Sequence, residues 1–358
     1  MRTMPTINKR FLLKLVLVIL AFAGVLVTAH TVQARRIPAA LKHQSERAAD
    51  AGKADLAVHY LRQYLEFHPE DVESQVKLAE FLRQRPPTPR GRAELLFLYD
   101  KVLRLSPDRH EVRREALGTA LALGRYADAA AHGEVLVQAF PLEPQLLHKL
   151  AEAQAGMGQN AAARATYETA IRCAPELMIG YQFLAQLLWK SLEDTPGARD
   201  VLDRMVRALP QEPDAYLIRA RFELFAQAPH SDEAAQQTRR AVGDLQRVLE
   251  LDPEHAEASL MLAEVMQRGR NVPAAHALLR DAFGLYPKNI KIVRALSWLE
   301  LVRGNAAASI TVLEDGLKAS PNGFELLVPL ADLLISQGDT ARTADILRKL
   351  EGRKAPPT

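Results

Sequence analysis

Along most of the chain, apolar residues recur at spacings of three and four, and each run stops at a proline. In LLHKLAEAQAGMGQNAAARATYETAIRCAP (146–175), Leu147, Leu150 and Ala151 share one helical face, Gly158 marks a turn, and Ala163, Tyr167 and Ala170 form the stripe of a second helix. That spacing predicts a helix hairpin. Small residues stand where the two helices approach, large ones fill the gaps between successive pairs, and proline stops the second helix because it lacks an amide donor and clashes with the preceding turn. The layout recurs at Tyr181, Leu184, Ala185, Leu188, Ala198, Leu202 and Pro210, and again at Leu262, Ala263, Met266, Ala275, Leu279, Ala282 and Pro287.

The closing prolines are Pro69, Pro107, Pro141, Pro175, Pro210, Pro253, Pro287 and Pro321, at intervals of 38, 34, 34, 35, 43, 34 and 34 residues. A fixed period in this range signals stacked repeats. The positions resemble the tetratricopeptide repeat family, whose unit of 34 residues has small residues at its eighth, twentieth and twenty-seventh places and proline at the thirty-second. The resemblance covers about 37–352, nearly nine units. It implies an all-α fold: a right-handed superhelical solenoid of about nine helix hairpins, which the apolar run near the N-terminus is expected to precede as a transmembrane helix. The unit ending at Pro141 departs from the pattern, with Leu117 at a small-residue place and Gly118 one place on expected to serve instead. The last unit has Leu330, Ala331, Leu334 and Gly338 but no closing proline, as in a frayed end repeat. The two long intervals trace to RQRPPTPRGR (83–92) and AQAPHSDEAAQQ (226–237), which read as surface loops lengthening the turn inside a hairpin.

Composition supports helix: 48% of the residues are apolar but only 6% aromatic, and β-branched runs are scarce beyond the N-terminus. The net charge of +3 hides an asymmetry. Residues 1–36 hold six basic residues and no acid, which leaves 40 basic against 43 acidic residues in 37–358. The body therefore has no general attraction for a phosphate backbone. The head itself, MRTMPTINKRFLLKLVLVILAFAGVLVTAHTVQARR, has two readings. As a retained signal anchor, 11–32 gives a helix of roughly 33 Å, long enough to span. As a cleaved signal, it offers small-residue sites at Val27–Ala29 or Val32–Ala34. Arg35 and Arg36 directly after the span favour the anchor. The expected organisation is a basic cytoplasmic head (1–10), a signal anchor (11–33), a short linker (34–36), the solenoid (37–352) and a disordered tail (353–358). The basic head keeps the N-terminus in the cytoplasm and places the solenoid on the far side of the membrane, in the periplasm or outside the cell; cleavage and secretion is the alternative.

Candidate chemistry is sparse. The ten histidines are scattered, with no pair at helical ligand spacing, so no metal is expected. No nucleophile elbow, phosphate loop or dinucleotide fingerprint occurs, and no stretch outside the repeats is long enough for a catalytic domain. An enzyme, a cofactor and a small-molecule substrate are therefore not expected. Cys173, the only cysteine, sits in the last turn of a second helix and reads as a small, partly buried hydrophobe.

The resemblance implies instead a concave face lined by the first helix of each pair, with places 2, 5, 9 and 12 pointing inward. Those are Gln145, His148 and Glu152; then Gln182, Gln186 and Trp189; Arg221, with Phe225 one place beyond; Glu257, Glu264 and Gln267; and Lys291, Arg294 and Trp298. Tryptophan beside arginine is the composition of a binding hot spot, set against the alternative that both tryptophans only fill space between helices. The carboxylate clamp of some family members is missing: Lys42 matches, but Glu46 stands in place of asparagine and Glu111 and Glu115 put acids in the third unit. The expected function is a non-catalytic, membrane-anchored scaffold that binds a protein or peptide in its groove, by analogy in envelope assembly or export. The alternatives are an exported accessory subunit of an enzyme complex and a helical-repeat nucleic-acid reader. The 34-residue spacing, the acidic body and the export signal oppose the last.

Overall fold

The computed structural model describes residues 36–226 and 232–351. The basic head, the signal anchor and the tail lie outside the described residues. Among those described, no helix is long and apolar enough to cross a membrane. The chain divides into two compact units, Met1–Cys173 and Ala174–Thr358.

The first unit contains eight described helices: α1 (36–50), α2 (Ala54–Phe67), α3 (Val72–Arg83), α4 (Pro89–Leu105), α5 (His110–Ala122), α6 (Tyr126–Ala139), α7 (Pro144–Gly156) and α8 (Asn160–Cys173). The second contains ten: α9 (Met178–Gln186), α10 (Thr195–Ala208), α11 (Pro213–Phe225), α12 (Asp232–Leu251), α13 (Ala256–Arg268), α14 (Val272–Leu285), α15 (Ile290–Val302), α16 (Ala306–Ala319), α17 (Leu327–Ser336) and α18 (Thr340–Glu351). No strand occurs among the described residues. Within each unit a helix packs on its neighbours in sequence, and α5 also touches α7, as α13 touches α15. Four hairpins form the first unit and five the second, each a stack of repeats. Arg36, expected in the linker, already belongs to α1.

The prolines act where the sequence places them. The second helices end at Phe67, Leu105, Ala139, Cys173, Ala208, Leu251, Leu285 and Ala319, in every case two residues before the closing proline. Steric pressure from the proline ring on the residue before it, which cannot stay helical, sets this end point. The amide of that intervening residue still reaches back one turn, as from His68 to the Tyr64 carbonyl or from Tyr286 to that of Ala282. The small residues of the repeat are enclosed: Ala163, Ala198 and Ala275 are completely buried. Leu184, Leu188, Leu202 and Leu279 fill the spaces between, each contributing about 1.5–3 kcal/mol of apolar burial before entropy is counted.

Three expectations need correction. The segments 83–92 and 226–237 are not simply loops. Thr88 caps α4 by accepting from the Gly91 amide and Pro89 starts the helix, so 89–92 form its first turn. Proline suits that place because the first helical amide has no partner to lose. Likewise 232–237 are the opening turns of the 20-residue α12, rich in alanine and glutamine. Gly118 does not replace the small residue missing at Leu117. Leu117 is itself fully buried beside Ala116, while a side chain on Gly118 would meet only the end of Lys149. The close approach is made elsewhere: a Cβ on Gly156 would collide with the Tyr126 ring.

The extra residue in the 35-residue interval ending at Pro210 has a defined home. Leu187–Ser191 form a π-helical turn that continues α9 and absorbs it, the form in which a single inserted residue enters a helix. The turn into the second helix then falls on Glu193 at φ 54°, a place taken by Gly158 at φ 75° in the preceding hairpin.

Candidate functional site

The second unit carries two open grooves, each between consecutive first helices. The first, of about 260 Å³, lies between α9 with its π turn and α11. Gln182, Gln186, Trp189 and Lys190 face Ile218, Arg221, Phe222 and Phe225 across a floor that includes Ala185 and Leu202. Trp189 meets Phe222 edge to face, with ring centroids 5.6 Å apart, and Lys190 lies 5.5 Å from the centre of the indole. Phe222 is buried, Trp189 half-buried and Phe225 69% exposed, so the pair forms a wall and Phe225 an unsupported lip. The π turn positions Trp189 here: the residue it adds rotates and lengthens the end of α9 over α11.

The second groove, of about 560 Å³, lies between α15 and α17. Lys291, Arg294, Trp298 and Leu301 line one side, and Pro329, Asp332 and Leu333 the other. Trp298 is 53% exposed, a large apolar surface left in water on a rigid helix. Arg294 stands 3.7 Å from Glu325, and Arg221 in the first groove holds Glu257 at 2.7 Å. Both guanidiniums are thus oriented by an acid of the next hairpin while remaining open to solvent.

Five sequence-predicted residues, Gln182, Gln186, Trp189, Arg221 and Phe225, meet in one groove; Lys291, Arg294 and Trp298 meet in the other. The rest do not join them. Glu264 is exposed but paired with Arg268 one turn away on α13, outside both grooves. Gln145 and Glu152 are exposed on α7. His148 is buried rather than presented: its ring lies against Tyr167 of α8, and burial holds its pKa below the ordinary histidine value. Place 5 of that hairpin turns under the large tyrosine, so the inward-pointing rule fails there. Sequence reasoning missed Phe222, Leu301 and Pro329. Phe222 was legible as the neighbour of Arg221, whereas Pro329 comes from the terminal unit, whose first helix opens with a 3₁₀ turn at Phe324–Leu326 and so shifts its register.

The places of the absent carboxylate clamp are occupied internally. Lys42 pairs with Asp71 at 3.0 Å, and Tyr64 donates to the same carboxylate at 2.7 Å. Burial alone would raise the Asp71 pKa, but bonds from Ser74, Tyr64 and Lys42 hold it well below the carboxylate range. Glu115 is taken by Arg83 at 2.6 Å. Cys173 is a free, half-buried thiol closing α8. Among the described residues no group of three or more histidine, cysteine or acidic side chains is placed to hold a metal.

Residues 148–213 and 233–299 match tetratricopeptide repeat family models. The chain carries tetratricopeptide repeats. A model described as a bacterial transcriptional activator domain also matches, over 34–177. No curated protein matches the chain by sequence. Among solved structures it is similar to several described as tetratricopeptide repeat proteins and to others. The C-terminal part of a TPR repeat-containing protein from Cytophaga hutchinsonii shares 12% identity over 73% of this chain and 99% of that one, with a TM-score of 0.49. Yeast Tom70 shares 10% over 89% and 93%, with a TM-score of 0.43. MamA, residues 41 to the end, from Desulfovibrio magneticus RS-1 shares 19% over 49% and 97%, with a TM-score of 0.40.

Proposed function

We propose that the protein is a non-catalytic scaffold whose first helices bind an extended segment of a protein partner, tethered to a membrane by residues 11–33 with the repeats on the far side from its basic head. One observation carries the binding reading: Trp189, Arg221 and Phe225 in one groove, and Arg294 and Trp298 in another, present solvent-accessible aromatic surface beside oriented guanidiniums on rigid helices. Exposed aromatic area is costly to leave in water, and aromatic and arginine anchors in preformed pockets are where binding energy concentrates. Each groove holds only one or two side chains, so a partner gains affinity by running along several hairpins. The tether rests on the apolar span and its basic flanks, and it raises the effective concentration of the repeats toward partners at the same membrane. A role in envelope assembly or export suits that placement.

The match to a bacterial transcriptional activator domain, 34–177, covers the described part of the first unit and the first four residues of the second. We keep the protein-partner reading because the body carries more acidic than basic residues and offers no broad phosphate-binding surface. The test is crosslinked capture with the full-length anchored protein, alongside Trp189→Ala and Trp298→Ala. The expected result is one or more partners lost from both variants at unchanged circular dichroism. Identical capture by the parent and both variants removes the grooves from the account.

A further inference from the structure

The first unit holds a cavity of different chemistry, about 660 Å³ in volume, between the end of α3, the start of α4 and α5. Leu82, Leu95 and Tyr99 give it apolar surface, and Pro86 and Pro87 edge it. Three of its arginines already have acids: Arg83 holds Glu115 at 2.6 Å, Arg85 holds Asp55 at 2.6 Å, and Arg114 holds Glu143 at 2.7 Å. Arg90, Arg92 and Lys149 line the same cavity, and none of them has an acid within ion-pair distance among the described residues. Arg92 is half-buried, and Lys149 reaches from α7 to α5, its ammonium 3.9 Å from where a Cβ on Gly118 would stand. Its charge acts on Glu143 only through space, lowering that carboxyl below its usual range as a minor addition to Arg114.

Three cations without an ion-pair partner around one apolar floor repel one another, and Arg92 and Lys149 are also partly withdrawn from water, a cost that an anionic ligand relieves. The start of α4 at Pro89, with the amides of its first turn, adds to the positive field. Residues 1–36 and GRKAPPT (352–358) carry basic residues and no acid, so neither complements it. An acidic segment of another molecule does.

We propose that this cavity binds an extended acidic peptide segment, its carboxylates on Arg90, Arg92 and Lys149 and an apolar side chain between them on Leu82, Leu95 and Tyr99. The site is independent of the aromatic grooves in the other unit. It lies beside the lengthened 84–88 turn of the 38-residue unit, and Arg90 and Arg92 line it from the first turn of α4.

The test is fluorescence anisotropy of the full-length protein with a fluorescein-labelled peptide of alternating glutamate and leucine, and with a matching lysine–leucine peptide. The acidic peptide should bind and weaken with added salt, and the basic one should not bind. Arg92→Gln and Lys149→Gln should each lower affinity about fivefold, the scale of one partly exposed ion pair. Arg90→Gln, at an exposed side chain outside the core, should keep the parent's circular dichroism and also lower affinity, and Trp298→Ala should bind the acidic peptide like the parent. The proposal falls if the parent ignores the acidic peptide, if all three glutamine variants bind it as the parent does, or if vesicles of anionic phospholipid displace it as completely as unlabelled peptide.

Discussion

In the unit of residues 36–173 the open cavity beside a proline-rich turn is lined by five arginines and a lysine against two acids, Glu94 and Glu115, each held by an arginine; in the unit of residues 174–351 the grooves are walled by tryptophan and phenylalanine. The interiors differ in the reverse sense. Among the described residues the first unit buries no acid but two histidines, His132 and His148, among leucine and alanine, whereas the second buries the acids Glu223, Asp244 and Glu300, each paired with a half-buried arginine or, for Glu300, with the buried His276. There, Arg199 reaches Glu223, which is 1% exposed, at 3.0 Å, and Arg219 forks onto Asp244 at 2.7 and 2.9 Å while also holding Asp203. One hairpin plan thus tolerates opposite choices of where charge goes, because the small residues and closing prolines that define the hairpin occupy only one face of each helix. Charge buried in the second unit leaves its grooves free for aromatic surface; charge kept outside in the first makes its cavity cationic.

The sharpest way to break this contrast is to remove a buried acid. Glu223→Ala removes the buried acid shared by Arg199 and Arg240, leaving Arg199 only the exposed Glu233 at 3.6 Å, and should cost about 1.5–3 kcal/mol, whereas Lys42→Ala, at a largely exposed pair in the first unit, should cost under about 1 kcal/mol. Urea titration of each variant, read by hydrogen exchange in each unit, checks it, and equal losses would erase the difference. A smaller effect probes packing in the first unit. Gly156→Ala forces a methyl into the Tyr126 ring and should cost about 1–3 kcal/mol in residues 36–173, with amide protection in the second unit unchanged. Protection lost equally in both units would show that they do not unfold separately.

The gentlest probe is pH. Burial lowers the pKa of His148, and burial outweighs the nearby Asp100, 3.2 Å away, to lower that of His132. Above about pH 6.5 these rings are neutral in both the folded and unfolded chain, so their full stability is present. As pH falls below that value the unfolded chain gains protons that the buried rings resist, and stability is lost toward their depressed folded values. The first unit should therefore soften between neutral pH and mildly acidic buffer, and His148→Asn should shallow that slope. An unchanged slope in the variant would mean that His148 is not the responsive group.

Much of this was legible in the chain because its signals are local. A proline fixes the end of a helix within two residues, and Ala163, Ala185 and Ala263 are buried where the period places them. The same reading gathered Trp189, Arg221 and Phe225 on one side, since residues on one helical face and on equivalent helices of neighbouring hairpins share a groove. It failed where a local signal has two meanings. Pro89 looked like loop and is a helix start; the extra residue before Pro210 fits at several places, and only packing selects Leu187–Ser191. His148 occupied an inward place by count, yet its neighbour Tyr167 covers it. The cationic cavity was not visible at all, because Arg92, Arg114 and Lys149 come from three helices and only folding brings them to one space.

The central claim is that the first helices of the second unit present the partner-binding surface. A photo-crosslinking amino acid placed at Gln186 or at Lys291, in the grooves, and at the exposed Arg207 on the second helix α10, tests it in cells that make the full-length protein. The account predicts that both groove positions capture the same protein, that Arg207 captures none, and that combining Trp189→Ala with Trp298→Ala abolishes capture. Equal capture from Arg207, or capture that survives both substitutions, would contradict it.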